Sequence, residues 1–407
     1  MRRIAGLLAV VLALLAAAPA SGLTQADADA AVAAMLPELQ AIRGIRFRTR
    51  VPVTVIDDAR ARAYALARFR RLTPESKIRS DETVFRLLGL VPQGTDVLRT
   101  LLDVLEEQAG GFYDPGTKSF YLLDDMPVEL TPLLAAHEMT HALDDQRYEI
   151  DRRLVEVLDD DDATFALSAV AEGSASAAAA VYVADALKAG TLDPERVGAL
   201  GNAVKTDRLD AMPASLTRQL LGPYVLGMTF LARGSVERLQ DGFPQADVDA
   251  AWSRPPRSSE QILHPEKYWD PGRKDEPKRV AIRDPSKLLG AGFARAGAGV
   301  LGELTLGSLV GAATPHASDL ASGRIPWTNA AASGWGGDRF ELWTRGTDAV
   351  VLVATVWDSE KDAAEFSAAL PPQGASFAFL RHGARVGIVA GDAGERRESL
   401  LARLVRP

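Results

Sequence analysis

His137, Glu138 and His141 stand in the spacing H-E-x-x-H. On a helix, positions i and i+4 share one face, so both imidazoles can reach one metal ion. Glu138, beside the first imidazole, can serve as general base toward water at that ion. Two of the chain's five histidines are spent in this one stretch. The plain alternative is a solvated helix that happens to carry two histidines. The surrounding residues predict a helix opened by Thr131 as N-cap and Pro132 at the first helical position, where its missing N–H costs nothing. Asp144 and Asp145 follow one turn after His141, where a carboxylate can accept the second N–H of an imidazole ligand. A solvated helix end is the other reading of those two.

A catalytic zinc centre needs a third protein ligand and one open position. The chain has no cysteine, so the candidates are carboxylates or a distant histidine. Glu172 fits best. It is the only charged residue between Asp162 and Asp185. Its neighbours at helical spacing, Ser168, Ala169, Ala175, Ser176 and Ala179, are all small, so this helix can come close to another. A lone carboxylate in such a setting is costly unless it is paired or metal-bound. The alternative is a half-exposed Glu on an Ala-rich helix. Tyr224 and His264 are candidates for the donor that stabilises an oxyanion when water attacks a carbonyl. A core tyrosine and a hydrogen-bonded loop histidine are their plainer readings.

The elements that must position these groups are mostly helical. Helices are expected over 26–39, from Asp57–Asp58 to Leu72, over 83–90, 96–108 and 162–187, and from about Pro223. Arg46 to Ile56 alternates as a strand does. Phe112–Tyr113 and Phe120–Leu122 flank Pro115–Gly116, which fits a type II turn. The second of these strands precedes the H-E-x-x-H helix, and a free edge there could hold an extended substrate. Residues 271–285 are polar and turn-rich, a possible boundary. From Trp335 onward two hairpins, around Gly346 and around His382–Gly383, alternate with helices over 359–370 and 395–405, giving a small ββαββα unit. His316 and His382 read as structural or exposed.

Residues 1–22 read as a secretory signal peptide: Arg2 and Arg3, an apolar run from Ile4 to Ala18, then Ala18-Pro19-Ala20 as a small-x-small cleavage pattern. Two further units are expected, 23–330 and 331–407. The apolar run is short for a bilayer span, so no stable membrane insertion is expected after cleavage. An uncleaved N-terminal anchor is the alternative. The net charge of −8 argues against a nucleic-acid partner and against an anionic membrane surface. Without cysteine, stability must come from a hydrophobic core.

The words His137-Glu138-Met139-Thr140-His141-Ala142 with Asp145, followed by Glu172-Gly173, resemble the gluzincin group of zinc metallopeptidases, of which thermolysin is the familiar member. With Gly111-Phe112-Tyr113-Asp114-Pro115 ahead of them, they are also similar to uncharacterised exported bacterial proteins of the metallopeptidase class. The likeness is strong over about 105–180 and weaker over 40–270. It implies a predominantly helical α+β fold with a zincin-like core and small sheet, Zn²⁺ held by His137, His141 and Glu172, and Glu138 as general base on a peptide or protein substrate. Thirty residues separate His141 from Glu172, more than in thermolysin, so extra structure over 148–158 is expected between the two helices. No Gly-x-x-His follows His141, which sets the chain apart from metzincins. An aspzincin would use Asp as third ligand, which keeps Asp159–Asp162 open. Two functional alternatives stand beside an exported peptidase: a non-catalytic zinc site that serves stability or partner binding, and a zinc hydrolase of a non-peptide amide.

Overall fold

The computed structural model describes residues 22–406 apart from 73, 109, 194, 196–205 and 312–326. The expected signal segment, all but its last residue, and His316 therefore lie outside the described residues. The fold is mixed α+β, mainly helical, with two small sheets.

The first sheet has three strands: β1 (Val53–Ile56), β2 (Gly111–Asp114) and β3 (Ser119–Leu123), in the order β1-β3-β2. β3 is buried along its whole length and central, parallel to β1 (Val53↔Phe120) and antiparallel to β2 (Tyr113↔Phe120). The hairpin forms as its sequence predicts, but β3 has no free edge, since β1 and β2 pair with its two sides and are themselves the edge strands. The type II turn is also corrected. Gly116 does not take positive φ; Lys118 does (φ 55°), and Asp114 accepts the N–H groups of Gly116 and Thr117. An aspartate that caps its own loop supplies what Gly116 was expected to. The strand expected over 46–56 is limited to β1.

Seven helices of the first half can be numbered in order: α1 (Gln25–Arg43), α2 (Asp58–Leu72), α3 (Glu75–Leu87), α4 (Val97–Gln108), α5 (Thr131–Tyr148), α6 (Ile150–Val157) and α7 (Asp161–Ala189). α1 opens with a capping box between Thr24 and Asp27 and stops at Gly44 in the left-handed region. α5 carries the H-E-x-x-H stretch. Its helical geometry already begins at Leu130, so Thr131 is not the cap; its hydroxyl donates to the Pro127 carbonyl (3.2 Å). α6 is the extra structure expected after Tyr148. α7 starts at Asp160, whose side chain accepts the Ala163 N–H, and ends at Gly190.

α7 is, among the described residues, the one helix long and apolar enough to cross a membrane. Of its most apolar window, 83% is buried by the rest of the protein, so it is a core helix here. It packs most extensively against α8 (Ala214–Leu231). The expected start near Pro223 is corrected: the helix begins nine residues earlier and holds Pro223 inside it. The two helices cross through glycine. A Cβ on Gly227 would lie 1.9 Å from the Ala169 carbonyl oxygen, and one on Gly173 would lie 2.2 Å from the Gly227 carbonyl carbon. Only backbone against backbone fits this crossing, which explains the stripe of small residues around Glu172.

The second sheet is antiparallel, in the order β4-β5-β6-β8-β7, with β4 (Ala294–Gly299), β5 (Trp335–Arg345), β6 (Asp348–Trp357), β7 (Phe377–His382) and β8 (Arg385–Gly391). β6 alternates along its length. Val351 and Val353 face the cluster with Val84, Leu306 and Phe366, while Val350, Leu352 and Ala354 face Leu400, Leu401 and Leu404. The helices involved are α3 on the first face with α9 (Gly302–Leu309) and α10 (Glu360–Ala369), and α11 (Arg397–Leu404) on the second. The order ββαββα is present from β5 onward, and β4 extends the sheet ahead of it.

Candidate active site

His137 and His141 leave α5 one turn apart. Their rings meet edge to face with centroids 4.9 Å apart, and their Nε2 atoms are 3.2 Å apart. Glu172 on α7 brings its Oε2 to 3.3 Å from each of those nitrogens. Three donor atoms thus form a nearly equilateral triangle. Donors held about 2.0–2.1 Å from a tetrahedral ion lie roughly 3.3 Å apart, so this spacing fits zinc, as does the His₂Glu donor set. The structure carries no ion; it supplies only this arrangement of donors.

Glu138 is also close, with an oxygen, His137 and His141 all offering donor atoms within 4.8 Å of one another. Two carboxylates therefore compete for the role of ligand. The distances favour Glu172, because one of its oxygens is equidistant from both imidazoles. Glu138 is tied elsewhere: the Tyr113 N–H of edge strand β2 donates to its Oε2 (2.8 Å). That strand–helix bond is a part of the site that the sequence does not announce.

The charges of these groups act on one another. Burial would lower His141, but the charge and hydrogen bond of Glu172 outweigh it and raise His141 to about 9. Burial raises Glu172, yet His141 and His137 more than offset it and hold the carboxyl well below its usual range. Glu138 is raised, chiefly by burial and only partly countered by the two imidazoles and the Tyr113 N–H.

Tyr224 is brought to the same place. Its ring stacks on His137 with centroids 5.8 Å apart and planes 15° apart. Burial, then the charges of Glu172 and Glu138, push its phenol well above the ordinary value, so it stays a neutral donor. Tyr224 lies one helical turn before Gly227, so the glycine crossing of α7 and α8 sets it beside Glu172. His264 is not brought in. It follows the short helix Ser259–Leu263, and its Nε2 sits 3.0 Å from Glu303 Oε1 on α9, which also accepts the Thr328 hydroxyl. The expectation that it serves as an oxyanion donor gives way to this half-buried pairing with Glu303. His382 lies at the exposed end of β7.

The acidic residues after His141 do not reach the imidazoles. Asp144 binds Arg43 Nη2 (2.5 Å) and accepts the Ser174 hydroxyl (2.6 Å). Asp145 accepts the Tyr113 hydroxyl (2.8 Å) and Lys118 Nζ (2.6 Å). His137 Nδ1 is buried without a hydrogen-bond partner, so packing beneath Tyr224 fixes that ring. Three members of the Asp159–Asp162 group are likewise committed at the start of α7. Asp160 caps that helix, Asp161 pairs with Lys77, and Asp162 accepts the Ser259 N–H. A second acidic grouping, Glu260, Asp275 and Asp358, is filled from within: Lys267 Nζ lies 2.6, 3.2 and 3.2 Å from their oxygens.

A family model described as a domain of unknown function, DUF8575, matches residues 289–395, which run from just before β4 through β8 and do not include the His–Glu site. No curated protein and no solved structure matches the chain.

Proposed function

We propose that the chain is an exported zinc-dependent hydrolase with a zincin-like core, acting on peptide bonds. The observation that carries this reading is the triangle of His137 Nε2, His141 Nε2 and Glu172 Oε2, with sides of 3.2–3.3 Å, beside a second, differently held carboxylate. His137, His141 and Glu172 would hold the metal. When bound, zinc supplies a Lewis acid that polarises a carbonyl oxygen and makes water more acidic.

The chain's own groups do the rest. Glu138 is fixed through Oε2 by Tyr113, which leaves Oε1 to take a proton from the attacking water. As the tetrahedral carbon collapses, Glu138 returns that proton to the leaving nitrogen. The Tyr224 phenol, neutral and stacked on His137, donates to the oxyanion formed on the former carbonyl oxygen. Exclusion of bulk water follows from the burial of His137 and Glu138 (4% and 7% exposed). A site kept only for stability has no use for Glu138, which favours hydrolysis over a purely structural role.

The test is Glu138→Gln. The variant is expected to keep its zinc and to lose peptide hydrolysis by several orders of magnitude. Activity near that of wild type in a zinc-loaded variant would overturn the assignment of Glu138.

A further inference from the structure

We infer that Arg43 is a positioning residue for the metal site, acting through Asp144 and Ser174 to fix the two helices that carry the ligands. The inference rests on the zinc reading above. Arg43 closes α1, more than ninety residues before the first histidine of the site. Its side chain is fully buried, as is that of Asp144. Nη2 lies 2.5 Å from Asp144 Oδ1, Nε donates to Gln245 Oε1 (2.9 Å), and the guanidinium lies 4.4 Å above the Phe243 ring. The other oxygen of Asp144 accepts the Ser174 hydroxyl at 2.6 Å.

The placement in sequence gives this network its meaning. Asp144 is three residues after His141 on α5, and Ser174 is two residues after Glu172 on α7. α5 and α7 are therefore joined twice, once by the donor triangle and once, alongside it, by Asp144 and Ser174. Among the described residues Arg43 is the one arginine or lysine paired with Asp144, and Ser174 is an uncharged donor. A buried carboxylate that has lost its cation must find another or draw in water. Either response moves the turn that carries His141 relative to Glu172. The guanidinium thus holds the distance between ligands without touching them, as outer partners of metal ligands do. Chain cleavage that removed residues 25–43 would take this tie away. The inward α1 residues Ala28, Val32, Met35 and Leu39 share one core with Leu133 and Ala136 of α5.

The experiment compares zinc affinity, measured by competition with a chromophoric chelator, in wild type, Arg43→Met, Arg43→Lys and Ser174→Ala. Melting temperatures in excess chelator are recorded alongside. Arg43→Met is expected to weaken zinc binding by about tenfold or more, the usual size for a lost outer partner, and Ser174→Ala by a few-fold. Arg43→Lys restores the charge and should recover most of the affinity. A merely structural contact would lower the chelator melting temperature and leave zinc affinity within about twofold of wild type; that result overturns the inference. If Arg43→Met does not fold, Ser174→Ala decides by the same criterion. Wild-type protein that binds no zinc at all overturns the metal reading itself, and this inference with it.

Discussion

Tyr224 shows how a single side chain gains a role from its surroundings. Its phenol lies half-buried next to two carboxylates, and its ring lies flat on the His137 imidazole. A phenol that cannot ionise at neutral pH is useful as a donor where negative charge develops. Tyr224→Phe keeps the ring and removes the donor. The expected result is unchanged zinc content and KM, with kcat reduced roughly 10²–10³-fold, the usual cost of one oxyanion donor; steady-state kinetics on a peptide substrate checks it. At this scale much could be read from the sequence. The H-E-x-x-H spacing and the solitary charge of Glu172 in an Ala-rich helix point to the groups the fold gathers. Tyr224 and His264 are equal candidates in sequence, because each is a ring with a hydrogen-bonding group and neither belongs to the H-E-x-x-H stretch. Only the fold separates them, since Glu303 is brought to His264 from 39 residues away.

At the level of elements, the site depends on how closely α7 and α8 approach. Gly227 is a helix-interior glycine, which by intrinsic propensity favours replacement by alanine by about 1 kcal/mol. The crossing opposes it. A methyl group there would sit 1.9 Å from the Ala169 carbonyl oxygen, and backbone cannot step aside as a flexible side chain can. The clash wins. Gly227→Ala is expected to lose more than about 2 kcal/mol of stability and to weaken zinc binding, because Glu172 and Tyr224 flank the crossing. Chemical denaturation and zinc titration of the variant check both effects. The small-residue stripe was visible in sequence, but its partner was not: Gly222-Pro223 reads as a helix start, while packing carries the helix through it. β4 escaped for another reason. Ala-Arg-Ala-Gly-Ala-Gly has no apolar alternation, and an edge strand half open to solvent needs none. The Arg43–Asp144 pair was equally hidden, since nothing local marks two charges that meet across 101 residues.

Across the whole molecule, the start of helix α7 abuts the second sheet through buried acids. Asp162 accepts the Ser259 N–H, and Asp338 at the start of β5 accepts the N–H groups of Leu301 and Gly302 and the Trp335 indole. Burial raises Asp338 to about 6 despite those three donors, and raises Asp162 as well. The unfolded chain ionises these groups near 4. Below that value both states are protonated and the contribution to stability is complete. As pH rises through about 6 it is lost, by an amount on the order of 2–3 kcal/mol for Asp338. Wild-type melting temperature should therefore fall more steeply between pH 4 and pH 7 than that of Asp338→Asn. Parallel curves from scanning calorimetry would refute the assignment.

The central claim is that one chain holds one zinc ion through His137, His141 and Glu172. Elemental analysis of purified wild type and Glu172→Ala, after dialysis against zinc-free buffer, tests it most directly. The account predicts about one zinc per wild-type chain and essentially none in the folded variant. Full zinc occupancy in Glu172→Ala would contradict it.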